Sequence, residues 1–413
     1  MSSFKQPTRN EVSSPEILQL AKNWKERPGL ILLETLNTSP SGLSLVAADP
    51  EEEVSGTDWE LLEKVFSRRQ RTQKLEEGAA IGFVRYDGSF HFGFYPQITV
   101  SHQSPPLLPP RSSLNISFSS DMEGATFIGL VERAQEYIAA GDIYQVCLAH
   151  RFRAKFEGDF WEYYAALRHV SPAPYSAFLR LGEDEVASSS PECFLNIQNQ
   201  HIRTRPIKGT RPRHSNPQRD SELAAELVAS EKERAELLMI TDLERNDVGK
   251  VCKPGSIHVP DLLRLETYPQ VFHLVSTVEG ELRDDVSHIQ ALKACFPGGS
   301  ITGAPKKRAM EIIAELEPVP RGLYTGAIGF FGYNGESRFN IAIRTAIKKG
   351  DAVSFHVGAG IVADSNPQAE WEETLHKARG LFLGALSEGN QNISKQYEML
   401  KASYRKGVPV PSY

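Results

Sequence analysis

Lys208 is the residue whose type and setting most clearly permit covalent chemistry. It lies in the segment RPIKGTR (residues 205–211), between a proline and a glycine-threonine turn. The carboxylate of Glu192, in SPE (190–192), precedes it by sixteen residues. An amine on a short, stiff segment with a proton donor nearby is suited to act as a nucleophile. Taken alone, however, a lysine is usually an exposed surface residue, so the interpretation depends on the rest of the chain.

Two pairs of glutamates are candidates for a metal site. Glu233 and Glu236 are three residues apart, as are Glu370 and Glu373, so each pair shares one helix face. Apolar positions continue or flank these faces, which indicates that the acids lie where each helix turns inward. Half-buried carboxylates repel one another unless a cation lies between them, and oxygen-only ligands suit Mg²⁺. The alternative, two helices with acidic exposed edges, stays open on spacing alone.

Three features are candidates for anion binding. The loop FPGGSITGAP (296–305) runs into a helix, where free backbone N–H groups attract an anion such as a carboxylate. Ala304 and Pro305 stand where a phosphate loop has lysine and a hydroxyl, so nucleotide binding is excluded. The second cradle is GAG (358–360). The third is Arg344, which needs an anionic partner inside an apolar run; a ligand carboxylate and a salt bridge to a neighbouring strand are both open.

The elements that position these residues are read from apolar periodicity and turn residues. Strands are predicted at 29–36, 78–95, 143–152, 175–181, 185–189, 193–202, 271–282, 327–333, 338–347 and 353–362, and helices at 125–140, 221–245 with Ser221 as N-cap, 305–316 and 367–386. Strands in groups separated by long helices indicate an α+β fold. A proline-rich segment (101–121) predicts an unpacked linker. The predicted units are a β-rich subdomain (1–110), a linker (111–124), a catalytic domain (125–386) and a polar tail (387–413).

Composition excludes several classes of function. The chain has 413 residues, of which 40% are hydrophobic and 24% charged, as in ordinary globular proteins. Its net charge of -6 argues against nucleic acid as the main partner. No apolar run approaches the roughly 18 residues of a membrane span, and no signal peptide is seen. The four cysteines show neither metal nor disulfide spacing, so a reducing, cytoplasmic compartment is expected.

Several segments, in one order, resemble the chorismate-utilising enzymes, which include anthranilate, aminodeoxychorismate, isochorismate and salicylate synthases. The similarity runs from about residue 125 to 386 and rests on GDIYQ (141–145), SPE (190–192), DLERND (242–247), HLVS (273–276), the 296–305 loop and GAGIVADS (358–365). It implies large mixed or antiparallel sheets that form a sandwich core, with helices packed outside. LLET (32–35) resembles the segment where anthranilate synthases bind feedback tryptophan, with Thr35 in place of the usual serine.

Two positions divide the chemistry within this family. Lys208 is typical of aminodeoxychorismate synthases, where anthranilate synthases carry alanine. Gln145 stands where isochorismate and salicylate synthases have a water-activating lysine. The chain thus resembles the first component of the aminodeoxychorismate synthases, which act in para-aminobenzoate and folate biosynthesis. Two departures, Cys147 for asparagine and Phe330 for tyrosine, are both expected near the substrate.

The resemblance also implies a site. Mg²⁺ would be held by Glu236 and Glu373 and, through water, by Glu233 and Glu370. Glu192 would protonate the departing 4-hydroxyl of chorismate while Lys208 adds at C2; ammonia then enters at C4 and expels the lysine, giving 4-amino-4-deoxychorismate. The remaining implied contacts to substrate come from His273, Thr302, Gly209, Thr210, Arg344, Lys377 and the amides of Gly358, Ala359 and Gly360.

This chemistry requires two particular protonation states. Lys208 must be partly neutral near pH 7, far below its usual pKa of ~10.4. Burial, or inward-facing cations among Arg203, Arg205 and Arg211, would lower its pKa. Glu192 must stay protonated, which an apolar pocket favours.

Ammonia needs a source, and none of the four cysteines lies in the Gly-x-Cys-x-Gly elbow of a glutaminase. The expected partner is therefore a separate glutamine amidotransferase subunit, with free ammonia as the alternative. No lyase domain is expected, since the chain ends soon after the last predicted helix. Two other functions remain open: anthranilate synthase component I, and a non-catalytic regulatory subunit that binds chorismate or tryptophan.

Overall fold

The computed structural model describes residues 13–36, 41–69, 71–107, 114, 116–268 and 271–385. The predicted polar tail lies outside this range, as do residues 111–113 and 115 of the predicted linker. The helices are α1 Ser14–Asn23, α2 Trp59–Ser67, α3 Gly124–Ala139, α4 Phe160–Val170, α5 Pro217–Ala229, α6 Glu231–Gly249, α7 His288–Cys295, α8 Lys306–Leu316 and α9 Pro367–Gly384. Short 3-10 turns lie at Leu75–Glu77 and Gly299–Ile301.

The strands build two sheets. In chain order they are β1 Ile31–Glu34, β2 Ser41–Ala47, β3 Glu52–Gly56, β4 Ala79–Val84, β5 Phe90–Tyr95, β6 Thr99–Gln103, β7 Ser119–Ser120, β8 Gln145–Lys155, β9 Tyr175–Leu181, β10 Asp184–Ser190, β11 Cys193–Gln198, β12 His201–Arg205, β13 Ile207–Pro212, β14 His258–Thr267, β15 Val271–Glu281, β16 Gly303–Ala304, β17 Ala327–Gly332, β18 Glu336–Ile341, β19 Thr345–Lys349 and β20 Ala352–Ile361.

Each sheet has ten strands, and their pairings are antiparallel. The first has the order β16-β8-β20-β19-β10-β9-β1-β2-β6, with β7 beside β8. The second has the order β13-β15-β12-β11-β18-β17-β4-β5-β3, with β14 on the other side of β15. One apolar core joins residues of both sheets, for example Leu179 with Ile81 and Phe330. The prediction of an α+β fold with a core between large antiparallel sheets is confirmed.

Helices cover the outer faces of this sandwich because their apolar stripes need a surface to bury against. In the first sheet, β8 and β20 form one core with α3, α4, α8 and α9, including Trp371 and Phe127. In the second sheet, α2 and α7 pack over the central strands. The site helices α6 and α9 therefore approach from different sheets: α6 contacts β15 of the second sheet, and α9 contacts β20 of the first.

In its described residues, the predicted β-rich subdomain (1–110) has no sheet of its own. β1, β2 and β6 extend the first sheet, whereas β3, β4 and β5 extend the second. The expectation of an unpacked linker at 101–121 was wrong for its described part. Ile116 and Phe118 are buried, and the Phe118 ring lies 4.8 Å from that of Phe355. Alternating apolar residues after the prolines place this segment on the core beside β8.

Four predicted elements are each divided in the structure; the strand expected at 78–95 is β4 and β5, and that expected at 193–202 is β11 and the start of β12. The helix expected at 221–245 is α5 followed by α6; Asn216 caps α5, and the Ser230 side chain accepts the Glu233 N–H at 3.4 Å to begin α6. The strand expected at 338–347 is β18 in the second sheet followed by β19 in the first. Residues 342–344 therefore cross between the sheets, and Arg344 has a φ of 50° there.

Candidate active site

Lys208 lies on β13 immediately before a β-bulge. Its neighbour on β15 is Leu274, the partner of His273 is Thr210, and Gly209 is the extra residue, with a φ of 75°. A Cβ on Gly209 would lie 2.7 Å from Leu227 Cδ1 and 3.0 Å from Glu233 Oε2. Only glycine fits this close, left-handed position, and the bulge re-aims the adjacent side chain. Gly209 therefore contributes a backbone conformation to the site, and not a side chain.

The amine of Lys208 is enclosed. Its side chain is 15% exposed, and its Nζ lies 3.7 Å from Glu236 Oε2. A Cβ placed on Gly360 of β20 would lie 3.3 Å from Lys208 Nζ and 3.4 Å from Gln145 Nε2. Gly360 is paired across the sheet with Cys147 of β8. The structure therefore places the amine of Lys208, a residue of the second sheet, against strands β8 and β20 of the first sheet.

Burial and the neighbouring charges shift the pKa of Lys208 in opposite directions. Burial lowers the pKa of Lys208, but the charges of Cys147, Glu236 and Glu192 outweigh it, and the pKa is raised above its ordinary value. Of the arginines that could have lowered this pKa, Arg203 pairs with Glu279 and Arg205 with Glu266. Arg211 lies 3.5 Å from Glu233. The nearby cation that lowers the pKa of Lys208 is Lys377.

Glu192 is a buried acid between β10 and β11. Burial raises its pKa, while hydrogen bonds from the Ser300 side chain and the Ile207 N–H, and the charges of Lys208 and Lys377, oppose the rise. The net pKa is above the ordinary value, as the sequence analysis expected. Ser300 had not been identified from the sequence. Thr302 is fully buried, and its hydroxyl donates to Gly298 O at 2.9 Å.

The four glutamates lie on two helices, α6 and α9, and each is paired with a basic side chain. Lys232 Nζ lies 3.9 Å from Glu236 Oε1 on α6 and 3.3 Å from Glu370 Oε1 on α9, so one ammonium group links the helices. Glu370 is buried and also accepts from the Ser365 hydroxyl at 2.7 Å. Across the described ranges, no group of three or more His, Cys, Asp or Glu is close enough to hold a metal ion.

The donor set nevertheless fits a hard divalent cation. The remaining acids are also paired with basic side chains, Glu373 with Lys377 at 2.7 Å and Glu233 with Arg211. Carboxylate oxygens on two facing helices are the ligands that Mg²⁺ takes, usually one or two directly and others through water. Lys232 occupies the kind of bridging position between Glu236 and Glu370 that such a cation requires.

Two basic side chains lie near Glu192, Arg344 in the crossing between the sheets and Lys377 on α9. In the part of the chain that the structure describes, the Arg344 guanidinium makes no hydrogen bond or ion pair; burial lowers its pKa, and the charge of Glu192 opposes this. Lys377 Nζ donates to Gly358 O at 3.0 Å. Strand β19 pairs with β20 only as far as Phe355, so residues 358–360 pair with β8 on one side and are not paired with β19 on the other. Ala359 turns its methyl group into the core.

His273 is a neutral, buried histidine beside Lys208. Burial, and next the charge of Arg344, lower its pKa to about 4. Its Nδ1 lies 3.0 Å from the Thr210 hydroxyl, across the bulge from Lys208. The pair therefore presents uncharged polar groups at this side of the site.

A separate cavity of ≈ 380 Å³ lies between the sheets near the LLET segment. Its lining includes Thr35, Tyr175, Arg205 and Arg338. Phe330 lines a smaller cavity that shares Thr35. Of the two departures from the family pattern, Cys147 therefore lies beside the Lys208 amine, and Phe330 lines this second cavity.

The comparisons with known proteins identify the family. The sequence pattern of the chorismate binding enzyme family matches residues 58–382, and the chain belongs to that family. It is 46% identical over 282 residues to aminodeoxychorismate synthase component 1 of Salmonella typhimurium, covering 68% of this chain and 62% of that protein. It is 47% identical over 273 residues to an anthranilate synthase component 1 of Haloarcula marismortui, covering 66% and 56%.

A solved structure agrees with this assignment. Anthranilate synthase component I of Streptococcus pneumoniae superposes with a TM-score of 0.74 at 29% identity, covering 83% of this chain and 93% of that one. The chain spans 56% and 62% of the two curated relatives described. Because these relatives match almost equally, the comparisons establish the chorismate binding enzyme family and do not distinguish between the reactions of the two relatives. None of the helices in the described ranges has the length and apolar character needed to cross a membrane.

Proposed function

We propose that the chain aminates chorismate to 4-amino-4-deoxychorismate through a covalent adduct on Lys208, a reaction of para-aminobenzoate and folate biosynthesis. The observation that carries this proposal is the enclosed position of Lys208 Nζ, 3.7 Å from Glu236 Oε2 and beside Gly360. An amine in such a place is presented to a bound ligand and is shielded from solvent. An anthranilate synthase has no need of an amine at this position.

The glutamates would form the metal site. Glu236 and Glu373 would bind Mg²⁺ directly, and Glu233 and Glu370 through water. When bound, Mg²⁺ would neutralise these carboxylates and receive the ring carboxylate of chorismate. Without a cation, four acids facing an anionic substrate would repel it.

The second carboxylate of chorismate, on its enolpyruvyl group, would bind Arg344, Lys377 and the strand edge at 358–360. The unpartnered guanidinium of Arg344 supports this assignment, because a half-buried cation is stabilised by a forked carboxylate contact. His273 and Thr210 would contact the neutral polar edge of the ring. The Thr302 hydroxyl already donates to Gly298, so it offers only its oxygen as an acceptor.

The bond changes follow from the positions of Glu192 and Lys208. Lys208 adds as the neutral amine, after its ammonium proton has passed to solvent. Glu192 gives its proton to the 4-hydroxyl, which leaves as water; the Lys208 lone pair forms a bond to C2 as both ring double bonds shift toward C4, and the extra proton on the new C2–N group returns to Glu192. Ammonia then bonds to C4, both double bonds return, and the C2–N bond breaks as Glu192 protonates the departing Lys208 nitrogen. The raised pKa of Glu192 supports its role as the acid.

Ammonia would come from glutamine through a separate amidotransferase subunit. The absence of a Gly-x-Cys-x-Gly elbow in the chain supports this division of labour. Free ammonia should serve in its place at high concentration.

Product analysis tests the proposal. The purified chain is incubated with chorismate, Mg²⁺ and ammonium salt, and the products are separated and identified by mass. We expect 4-amino-4-deoxychorismate, its loss in Lys208→Ala, and its retention in a control at the exposed Lys307→Ala. Fluorescent anthranilate as the main product would show that the chain is an anthranilate synthase. Binding of chorismate without any turnover would favour a regulatory subunit.

A further inference from the structure

The loop from Pro297 to Thr302 supplies Ser300 to Glu192, and side chains from other elements hold it. Lys306 Nζ donates to Pro297 O at 2.6 Å, and Arg321 Nη1 donates to Ile301 O at 3.0 Å. The Gly299 N–H is bonded by Glu244 Oε1 at 2.9 Å. The free N–H groups of this loop predict a bound anion. At Gly299 that anion is the carboxylate of Glu244, a residue of the chain itself.

Glu244 reaches the loop from the second half of α6. Its side chain is buried, with 3% of the residue exposed. A Cβ on Gly299 would lie 3.2 Å from Glu244 Oε1 and 2.6 Å from Leu243 Cδ2, so only glycine lets the loop backbone approach the helix this closely. The same helix thus carries Glu233 and Glu236 in its first half and a loop-holding acid two turns further on.

We propose that Glu244 is a positioning residue for Glu192. By accepting the Gly299 N–H, it fixes Ser300, whose side chain interacts with the Glu192 carboxyl and whose carbonyl oxygen lies 3.5 Å from Cys147 Sγ. This inference rests on the role proposed for Glu192 as the acid. A buried N–H that loses its acceptor is costly, so removing Glu244 would release the loop and, with it, the hydrogen bond to Glu192.

Charge also couples the two acids. Burial raises the pKa of Glu244 to about 7; the charges of Asp247 and Glu192 add to this, whereas Lys306 and the Gly299 N–H oppose it. Cys295, at the end of α7, also faces this group, since the charges of Asp247 and Glu244 contribute to its raised pKa. An ionised Glu192 therefore favours the protonated form of Glu244, which still has an oxygen that accepts the Gly299 N–H.

Two substitutions separate position from charge. Glu244→Gln keeps an oxygen acceptor for Gly299 and removes the charge, whereas Glu244→Leu removes both. Asp242→Asn, on the exposed face of α6, is the matched control, since Asp242 is 77% exposed and pairs with Arg245. Chorismate consumption is measured across pH for each protein, and amide hydrogen exchange is measured by mass spectrometry on peptides that cover residues 296–305.

We expect Glu244→Leu to lower kcat about tenfold or more, with little change in KM for chorismate, and to speed exchange in the loop. Glu244→Gln should keep slow exchange and most of kcat, because its amide oxygen can accept the Gly299 N–H. Native exchange in Glu244→Leu, or a loss of kcat in Glu244→Gln as large as that in Glu244→Leu, would overturn the inference. If the wild type consumes no chorismate, the proposed function fails, and loop exchange still decides whether Glu244 holds Gly299.

Discussion

Gly360→Ala is the most discriminating substitution for the position of the Lys208 amine. The added methyl group would lie 3.3 Å from Lys208 Nζ and 3.4 Å from Gln145 Nε2, closer than ordinary van der Waals contact. Both neighbours are the ends of side chains, so they can move aside by a few tenths of an ångström. The fold should tolerate the change, and the amine should not keep its place.

The two expected magnitudes differ. Replacing glycine in a strand by alanine reduces the freedom of the unfolded chain, a stabilisation of about 0.4–1 kcal/mol that offsets the tight contacts. We therefore expect the free energy of unfolding to change by less than about 1 kcal/mol, or a Tm shift within about 2 °C. Because displacing a reacting group by about 1 Å can lower a rate on the order of a hundredfold, a shift of a few tenths of an ångström should lower it about threefold or more. Activity should fall while stability changes little.

The assay is chorismate depletion with ammonium and Mg²⁺, together with thermal unfolding of the same samples. Gly129→Ala is the control: Gly129 lies on α3, and a Cβ there would have no atom within 4 Å. It should match the wild type in rate. Full activity in Gly360→Ala would refute the argument that Lys208 reacts beside β20. A large loss of stability with an unchanged kcat would assign Gly360 a packing role only.

Three further predictions concern the anion, the metal and pH. Arg344→Met should raise the KM for chorismate about tenfold or more with little loss of stability, because the guanidinium has no partner to lose among the described residues; an unchanged KM would exclude Arg344 as the carboxylate ligand. Glu236→Gln should raise the Mg²⁺ concentration for half-maximal activity about tenfold or more, with Glu231→Gln on the same helix as control; equal Mg²⁺ dependence in both would contradict the metal assignment. Burial raises the pKa of Glu244 to about 7, so its contribution to stability, about 3 kcal/mol, is present below the unfolded pKa of ~4.3 and is lost as pH rises through about 7. Glu244→Gln should flatten that part of the decline in chemical denaturation, and a parallel curve would contradict the assignment.

The residues of the candidate site that lie in recognisable sequence motifs were predictable. Lys208, Glu192 and Lys377 were each selected by type and setting, and the structure places all three together. The two sheets were predictable as an α+β arrangement because the strand-like runs are apolar or alternating. An apolar run does not reveal which sheet it joins, however. Residues 338–347 therefore read as one strand, although the chain crosses between sheets at Arg344.

The contacts that depend on tertiary approach were not predictable. Lys232 links Glu236 to Glu370 only because α6 and α9 face each other from different sheets. Glu244 meets Gly299 only because a glycine lets the loop touch the helix. Helical periodicity likewise continues through Ser230, where a side-chain cap divides one predicted helix into two. The directions of Arg203, Arg205 and Arg211 could not be read from the sequence, because each pairs with a carboxylate on a neighbouring strand or helix.

Intact-protein mass spectrometry tests the nucleophile directly. The wild type and Lys208→Ala are each mixed with chorismate and Mg²⁺ in the absence of ammonia, quenched and weighed. We predict a mass increase equal to chorismate less one water on the wild type, located on Lys208 by peptide mapping and absent from Lys208→Ala. An adduct that persists in Lys208→Ala, or a wild type that consumes chorismate without ever carrying an adduct, would contradict covalent catalysis at this residue.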